Sequence, residues 1–233
     1  MTRSGLRKPV LLCWSGGKDA AWALHALRRR DDVEVVSLLS SITIEDDRSS
    51  MQGVRRDVLL AQASACGLPL LEARMPANCG NDVYEAAMAR ALAGAGERWP
   101  GLRTAAFGDL LLEDLRAWRQ AQCARAGWDI LTPLFGADTA QLARDMLDGG
   151  LRARLCCVDT GQMDATFAGR DFDAALLGDL PAGVDPCGEN GEFHTCVYDG
   201  PMFVAPLALE RGETVLSGER FACTDFLLDS RGA

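Results

Sequence analysis

Long apolar stretches are missing from this 233-residue sequence. The first apolar run, residues 10–14, is five residues long, whereas a membrane-spanning helix needs roughly 18. The same run is too short for the core of a signal peptide, and a Ser-Gly-Gly turn follows it directly. We therefore expect a cytoplasmic protein that has no membrane association.

Basic residues are scarce as well. The 24 Lys and Arg residues face 33 Asp and Glu residues, which gives a net charge of -9. A general nucleic-acid binder normally carries a basic surface, so we expect no nucleic-acid partner. The acidity does not exclude a small anionic ligand, because main-chain N–H groups can hold one locally. A hydrophobic share of 48% excludes intrinsic disorder.

Metal-binding and disulfide patterns are missing too. The nine cysteines are odd in number, no two are spaced as CxxC, and only His25 and His194 could complete a zinc site. A chain of this length buries enough apolar surface to fold without cross-links. We expect most of the cysteines to be reduced, buried residues of apolar character.

The first half of the chain alternates short apolar runs with helical patterns, which predicts an α/β fold. Such alternation is typical of a Rossmann-like parallel sheet with helices on both faces, joined by right-handed crossovers. The predicted strands are 10–14, 33–40, 68–73 and 104–107, and the predicted helices are 20–30, 54–66, 82–95 and 111–126.

The pattern changes beyond residue 133, where glycine and proline become frequent. Short β-type runs separated by turns predict a smaller, more β-rich C-terminal domain. We place the boundary near residues 128–135, which gives domains of 1–130 and 131–233. The predicted elements are a helix at 139–147 and strands at 151–158, 193–198, 202–206, 214–216 and 220–228.

The strongest local signal is Ser15-Gly16-Gly17-Lys18-Asp19, which lies between the first strand and the first helix. Glycines allow a tight turn and let main-chain N–H groups approach a ligand, and the helix that follows presents unpaired N–H groups. Together they predict a cradle for phosphate oxygens. The loop matches neither the Walker A pattern nor the dinucleotide GxGxxG pattern. The alternative is a simple strand-to-helix turn capped by Ser15.

A second candidate segment begins at the end of the fourth strand with Gly108 and Asp109 and continues to Glu113. Ligands of open parallel sheets bind at this edge, and hard carboxylate oxygens suit Mg²⁺. The alternative is a charged helix whose side chains pair on a solvated face.

A third segment, residues 185–195, places acidic, amide, imidazole and hydroxyl groups within eleven residues. Glu189 and Glu192 are candidate general bases, and His194 is a candidate acid–base group on a predicted strand. The alternative is a β-turn whose polar side chains face water. The remaining candidates in this segment are Cys187, Gly188, Asn190 and Thr195.

Loop 15–19 resembles the SGGxD[ST] signature of the PP-loop ATP pyrophosphatases, except that Ala20 stands where Ser or Thr is usual. The three segments together resemble the diphthine–ammonia ligase family, in particular its bacterial-type branch, over roughly residues 9–207. The segment 51–56 is also similar to that family, although His is common where Gln52 stands.

The resemblance implies a fold of the HUP or PP-loop type and a reaction. A carboxylate is activated by ATP as an acyl-adenylate, and ammonia or another amine attacks it to give an amide, AMP and pyrophosphate. In eukaryotic and archaeal members the acid is diphthine, a modification that bacteria lack. The implied cofactors are ATP and Mg²⁺. The resemblance leaves the acid, the amine donor and a homo-oligomeric assembly open.

The resemblance also implies roles for the candidate residues. Loop 15–19 would bind the phosphates, and main-chain groups of Leu39, Ser40 and Ser41 would hold adenine. Magnesium would be held by Asp19 and Asp109. The catalytic candidates are Asp109, Glu113, Glu189, Glu192 and His194, and the substrate-binding candidates are Cys187, Gly188, Asn190 and Thr195.

Two other functions stay open at this point. One is another PP-loop chemistry, such as modification of a nucleobase, although this chain has neither the basic surface nor the CxxC pair that is usual there. The other is a non-catalytic or regulatory ATP-binding module, which the absence of a hydroxyl at Ala20 supports.

Overall fold

A computed structural model describes residues 7–229, which form two β-sheets and six α-helices. The first sheet and its helices occupy residues 8–131. These elements are β1 Lys8–Cys13, α1 Lys18–Arg28, β2 Val33–Thr43, β3 Arg48–Ser49, α2 Arg56–Ala65, β4 Leu70–Met75, α3 Asn81–Arg98, β5 Thr104–Ala106, α4 Glu113–Arg125 and β6 Asp129–Leu131.

The second sheet and two further helices follow in the sequence. These elements are α5 Thr139–Asp148, β7 Arg152–Asp159, α6 Ala174–Asp179, β8 Phe193–Asp199, β9 Leu209–Ser217 and β10 Phe221–Leu228. Strands β8, β7, β10 and β9 lie in that order, and each pair is antiparallel. The predicted α/β class with a smaller β-rich C-terminal region is therefore confirmed. The outermost limits of the predicted domains, residues 1 and 233, lie outside the described residues.

The first sheet is parallel along its main path. Strands β2, β1, β5 and β6 lie side by side in this order, and β4 pairs with β2. The short β3 is antiparallel to the end of β2. The carboxyl ends of β1 and β5, which pair directly, carry the first two predicted site segments, so those segments lie at one edge of the sheet.

Helices cover both faces of this sheet, as predicted. Successive side chains of a strand point to opposite faces, and β1 shows this: Val10 and Leu12 belong to the core beneath α1 and α2, whereas Leu11 belongs to the core beneath α3 and α4. The first of these cores continues without a break into the second sheet through residues such as Leu155 and Val197. The second sheet is therefore packed against the α1/α2 side.

Some local predictions were wrong. Residues 202–206 form turns instead of a strand, because Gly200 has a φ of +155° and its carbonyl accepts the Phe203 N–H, which folds the chain back. Strand β2 continues to Thr43 instead of ending at 40, and α1 begins at Lys18. The short β3, β6 and α6 were not predicted. Within residues 7–229, no helix has the length and apolar character needed to cross a bilayer.

Candidate active site

The loop after β1 turns tightly into α1. Gly16 has a φ of +85°, and a Cβ there would lie 2.8 Å from a Leu59 methyl carbon, so glycine is required on both counts. Gly17 is the N-cap residue of α1, so the helix has no side-chain cap from this position. Ser15 Oγ accepts the Gly17 N–H at 3.3 Å, which places the hydroxyl beside the turn. The positive end of the α1 helix dipole therefore lies at this loop.

Gln62, on the buried face of α2, fixes the underside of the loop. Its side-chain amide donates to the Gly16 carbonyl at 3.0 Å and to the Val197 carbonyl at 2.7 Å, and its oxygen accepts the Trp14 indole N–H at 2.9 Å. The Val197 N–H also donates to Gly16. Sequence reasoning missed Gln62, although a glutamine within the apolar face of a predicted helix was a usable signal.

Lys18 is almost fully buried, and its charge is neutralised inside the protein. Its ammonium group bonds the Asp19 carboxylate at 2.8 Å and donates to the Cys187 carbonyl. Burial lowers the pKa of Lys18, but the carboxylate of Asp19 raises it and the net shift is upward, so Lys18 is charged at neutral pH. The Lys18 N–H donates to Thr195 Oγ1 at 3.0 Å. These contacts join the first loop to the third segment.

Gly108 brings the second segment against the same helix start. A Cβ at Gly108 would lie 2.7 Å from the Asp19 carbonyl carbon and 2.9 Å from the Ala20 nitrogen, so only glycine allows this approach. Asp109 follows it. One of its carboxylate oxygens accepts from Arg119 at 2.5 Å, and the other is buried with no hydrogen-bond partner among the described residues. Burial raises the pKa of Asp109, although Arg119 opposes the shift.

Glu189 lies where all three segments meet. Its carboxyl group interacts electrostatically with Asp19, Lys18 and Asp109 and accepts a hydrogen bond from the Leu110 main chain. Burial and the negative charge of Asp19 raise the pKa of Glu189 to about 7. A carboxyl group of that pKa exchanges protons readily at neutral pH.

Glu192 is buried and holds its own segment in shape. Its carboxylate accepts the N–H groups of Asp185 and Asn190, both at 2.9 Å, and the Asn190 side-chain amide at 3.0 Å. Three donors to one carboxylate define the turn that presents Glu189. Gly188, with a φ of +69°, completes this turn, since a Cβ there would lie 2.7 Å from the Phe193 carbonyl.

Two other side chains of the third segment are uncharged at neutral pH. Burial, with a contribution from Lys18, lowers the pKa of His194 to about 4. Burial raises the pKa of the Cys187 thiol to about 12, and this thiol contacts the Thr139 carbonyl at 3.4 Å. Cys187 is therefore a thiol and not a thiolate, which excludes an activated nucleophile.

Four further predicted residues lie in β2 and at the start of α4. Glu113 is exposed at the start of α4. Leu39, Ser40 and Ser41 lie inside β2, where the Leu39 carbonyl accepts the Trp14 N–H and the Ser41 carbonyl accepts the Ser50 N–H. The adenine contact at these three residues stays a prediction.

Gln52 approaches the loop from segment 51–56. A Cβ on Gly17 would lie 3.3 Å from its side-chain nitrogen, and its side-chain oxygen is buried without a hydrogen-bond partner among the described residues. Sequence reasoning noted Gln52 only as a departure from a familiar segment. Its place beside Gly17 depends on the fold of the whole first sheet.

A parallel sheet with a Ser-Gly-Gly loop at the carboxyl end of β1, followed directly by a helix, defines the PP-loop class of α/β proteins. Family models narrow the class. The model of the diphthamide synthase N-terminal domain matches residues 8–129, and the model of the diphthamide synthase C-terminal domain matches residues 138–223. The chain therefore belongs to the diphthamide synthase family.

Two curated relatives are similar along most of this chain. The diphthine–ammonia ligase of Schizosaccharomyces pombe is 27% identical over 227 residues, which covers 88% of this chain and 37% of the yeast protein. The diphthine–ammonia ligase of Saccharomyces cerevisiae is 24% identical over 229 residues, which covers 81% of this chain and 32% of that protein. The chain thus spans about a third of the length of these relatives.

Proposed function

We propose that this chain is an ATP-dependent carbon–nitrogen ligase that adenylates a carboxylate and passes the acyl group to ammonia or another amine. The observation that carries the proposal is the convergence of three distant segments on the start of α1: Lys18 bonds Cys187, Gly108 contacts Asp19, and Glu189 faces both. The names of the two yeast relatives support the same reaction class.

In this proposal the loop binds the β and γ phosphates. The dipole of α1 and the Ser15 hydroxyl supply attraction and hydrogen bonds, and the main chain around Gly16 and Gly17 supplies shape. The Lys18 ammonium acts from within, because its hydrogen bonds hold Asp19 and the Cys187 carbonyl in place. Catalysis then comes mainly from positioning the acid at the α-phosphorus and from charge neutralisation.

The carboxylates present fit a magnesium ion that arrives with the nucleotide. Asp109 has a buried oxygen without a hydrogen-bond partner within residues 7–229, and Asp19 lies close enough to raise the pKa of Asp109. Magnesium is commonly held by one or two carboxylates together with substrate phosphates, so two protein ligands suffice. Bound Mg²⁺ would neutralise phosphate charge, and Asp109 and Asp19 would hold it.

Glu189 is the proposed proton acceptor for the attacking amine. Its pKa of about 7 lets it take a proton from the nitrogen as the C–N bond forms, and the neighbouring Lys18 stabilises its charged form. Glu192 positions this residue through the turn at 185–192. His194, which is neutral, serves the pocket as a hydrogen-bonding group.

The test is product analysis. Pure protein is incubated with ATP, Mg²⁺ and ammonia across a panel of carboxylic acids, with Asp109→Asn as the inactive control. We expect AMP and pyrophosphate to appear only with a cognate acid, together with its amide. Release of ADP and phosphate would refute cleavage between the α and β phosphates.

A nucleotide-binding module without turnover is the second candidate. It is favoured by Ala20, which supplies no hydroxyl, and by the Lys18 N–H, which already donates to Thr195. This candidate predicts tight ATP binding in calorimetry and no product from any acid, so the same panel separates the two.

A further inference from the structure

A partly open cleft with a cavity volume of about 40 Å³ lies between α3 and α4, on the face of the first sheet opposite the second sheet. Its walls are mainly apolar and aromatic, with Tyr84 on α3, Trp118 on α4 and Phe107 just beyond β5. The Tyr84 and Trp118 rings adjoin with centroids 5.9 Å apart at 35°. The site described above makes no use of this cleft. Apolar and aromatic walls with a few polar groups are the usual lining of sites for small organic molecules.

The polar groups of the cleft leave one hydrogen bond unmade. Glu85 pairs with Arg125 at 2.7 Å, and Arg119 pairs with Asp109. The side-chain nitrogen of Gln122 is buried and has no hydrogen-bond partner among the described residues. A buried amide donor without a partner is unfavourable, so this nitrogen favours a ligand with an acceptor atom.

The cleft reaches the edge of the sheet where the three segments meet. Cys13 lines it and precedes Ser15 by two residues, and Phe107 lines it and precedes Asp109 by two residues. Two residues of extended chain span at most about 7 Å. Arg119 belongs to both places, since its guanidinium lies 4.6 Å from the Phe107 ring centre and bonds Asp109.

We propose that this cleft binds the planar heteroaromatic body of the acid substrate, with a ring acceptor on Gln122 and the carboxyl group directed towards the loop after β1. The aromatic walls select a flat ring, and the free donor selects a heteroatom. The acid that is adenylated is then a heteroaromatic carboxylic acid. The role of the cleft as a substrate site rests on the proposed ligase function. Binding of the ring to the cleft does not itself need ATP.

The experiment measures direct binding by calorimetry without nucleotide. The probe is quinoline-6-carboxylate, and its controls are 2-naphthoate, which lacks the ring nitrogen, and the fully saturated decahydro-2-naphthoate. Ala89→Trp fills the cleft from an exposed position of α3, and Ala93→Trp adds the same ring at an exposed position of α3 outside the cleft. Gln122→Leu removes the donor.

We expect the probe to bind the wild type and Ala93→Trp equally, at least tenfold more weakly to Ala89→Trp, and without preference over naphthoate in Gln122→Leu. Equal binding to Ala89→Trp, or equal binding of the saturated acid, would overturn the proposal. Displacement of the probe by AMP, with weaker ATP binding in Ala89→Trp, would assign the cleft to adenine instead and overturn it too. Binding in the cleft without AMP formation from any acid would leave the site standing and refute the ligase function alone.

An independent observation concerns the second sheet, where Cys157 on β7 and Cys223 on β10 are direct cross-strand partners. Their sulfur atoms lie 2.9 Å apart, and both cysteines are free thiols. Facing residues of antiparallel strands have Cα separations that a disulfide spans. The Cys157 thiol, as hydrogen-bond donor, lowers the pKa of Cys223 to about 7, which supplies a thiolate at neutral pH.

We infer that Cys157 and Cys223 form a reversible disulfide with a low-molecular-weight disulfide such as oxidised glutathione. The Cys223 thiolate attacks the oxidant and releases one glutathione thiol. The Cys157 sulfur then displaces the second glutathione, so that one protein S–S bond forms, two glutathione thiols are produced and two thiol protons leave the protein.

Peptide mass spectrometry after treatment with oxidised glutathione tests this site. We expect a cross-link between tryptic peptides 155–170 and 221–231 in the wild type and in Cys156→Ser, and none in Cys157→Ser. A cross-link that survives in Cys157→Ser, or wild-type protein that stays fully reduced, would overturn the inference.

Discussion

Each face of the first sheet carries a glutamine on one of its covering helices, but the two side chains differ in their hydrogen bonding. On the α1/α2 face, which the second sheet covers, Gln62 is wholly buried and both ends of its amide are hydrogen-bonded. On the α3/α4 face, Gln122 borders an open cleft and its nitrogen has no partner within residues 7–229. The difference suggests a contrast of roles: Gln62 holds the loop after β1 in place, whereas Gln122 offers a donor to the ligand that we propose for the cleft.

Replacing each glutamine by leucine gives the sharpest test of this contrast. Gln62→Leu leaves the Trp14 indole N–H and a Val197 carbonyl buried without their partner, so we expect a loss of about 3 kcal/mol in the free energy of unfolding. Gln122→Leu removes a donor that has no partner in the described part of the chain, so its change should stay within about 0.5 kcal/mol. Denaturant unfolding of both variants measures the difference. Equal losses would remove the distinction between the faces.

Gly108, at the edge that the two faces share, is the next most sensitive position. Gly108→Ala places a methyl group 2.7 Å from the Asp19 carbonyl carbon. The start of α1 must move, which we expect to reduce stability by about 1–3 kcal/mol and AMP formation at least tenfold. Gly94→Ala is the matched control, because nothing lies near its added methyl within α3 and it should stabilise by about 0.5–1 kcal/mol. A fully active Gly108→Ala variant would show that the function of Asp109 does not depend on the close approach of its segment to the loop.

The sequence predicted those features that depend on local pattern. Alternating apolar runs predicted most of the strands and helices, and glycine spacing predicted the loop at 15–19. The contacts of Lys18 with Cys187 and of Gln62 with Val197 join residues more than a hundred positions apart, so only the packed fold defines them. Residues 202–206 were wrongly predicted as a strand because their composition is strand-like, whereas the turn at Gly200 decides the outcome.

The open cleft was also out of reach of pattern reasoning. Tyr84, Trp118 and Gln122 lie on two different helices, and their spacing in the sequence is that of ordinary amphipathic segments. Their juxtaposition follows from the packing of α3 and α4 next to each other on one face of the sheet. A donor without a partner is visible only when every neighbour is known.

Glu189 lies where the three site segments meet. Its substitution should change the pH dependence of turnover and of stability, and this effect should be smaller than the two above. With hydroxylamine as the amine, we expect wild-type turnover to fall as the pH drops below about 7 and Glu189→Gln to lose most turnover at every pH. The raised pKa also means that the folded state holds a proton which the unfolded state has released, so Glu189 contributes a fall in stability as the pH rises from about 4.5 to 7. Glu189→Gln should remove that contribution, so that stability in thermal unfolding rises more steeply with pH over this range than in the wild type. An unchanged slope would place Glu189 in a more polar setting.

His194 should give the smallest effect and the opposite slope. Its pKa is lowered to about 4, so between pH 6.5 and 4 the unfolded state binds a proton that the folded state excludes, and His194 contributes a fall in stability as the pH drops through this range. His194→Asn should lessen that fall while leaving stability at pH 8 within about 1 kcal/mol of wild type. Because Glu189 and His194 act against each other over nearly the same range, melting temperatures of both single variants and of the double variant are needed. The two single variants should change the pH dependence in opposite directions, and the double variant should return it close to that of the wild type. Two single variants that both keep the wild-type pH dependence would show that neither pKa is perturbed by the packing of the second sheet on the first.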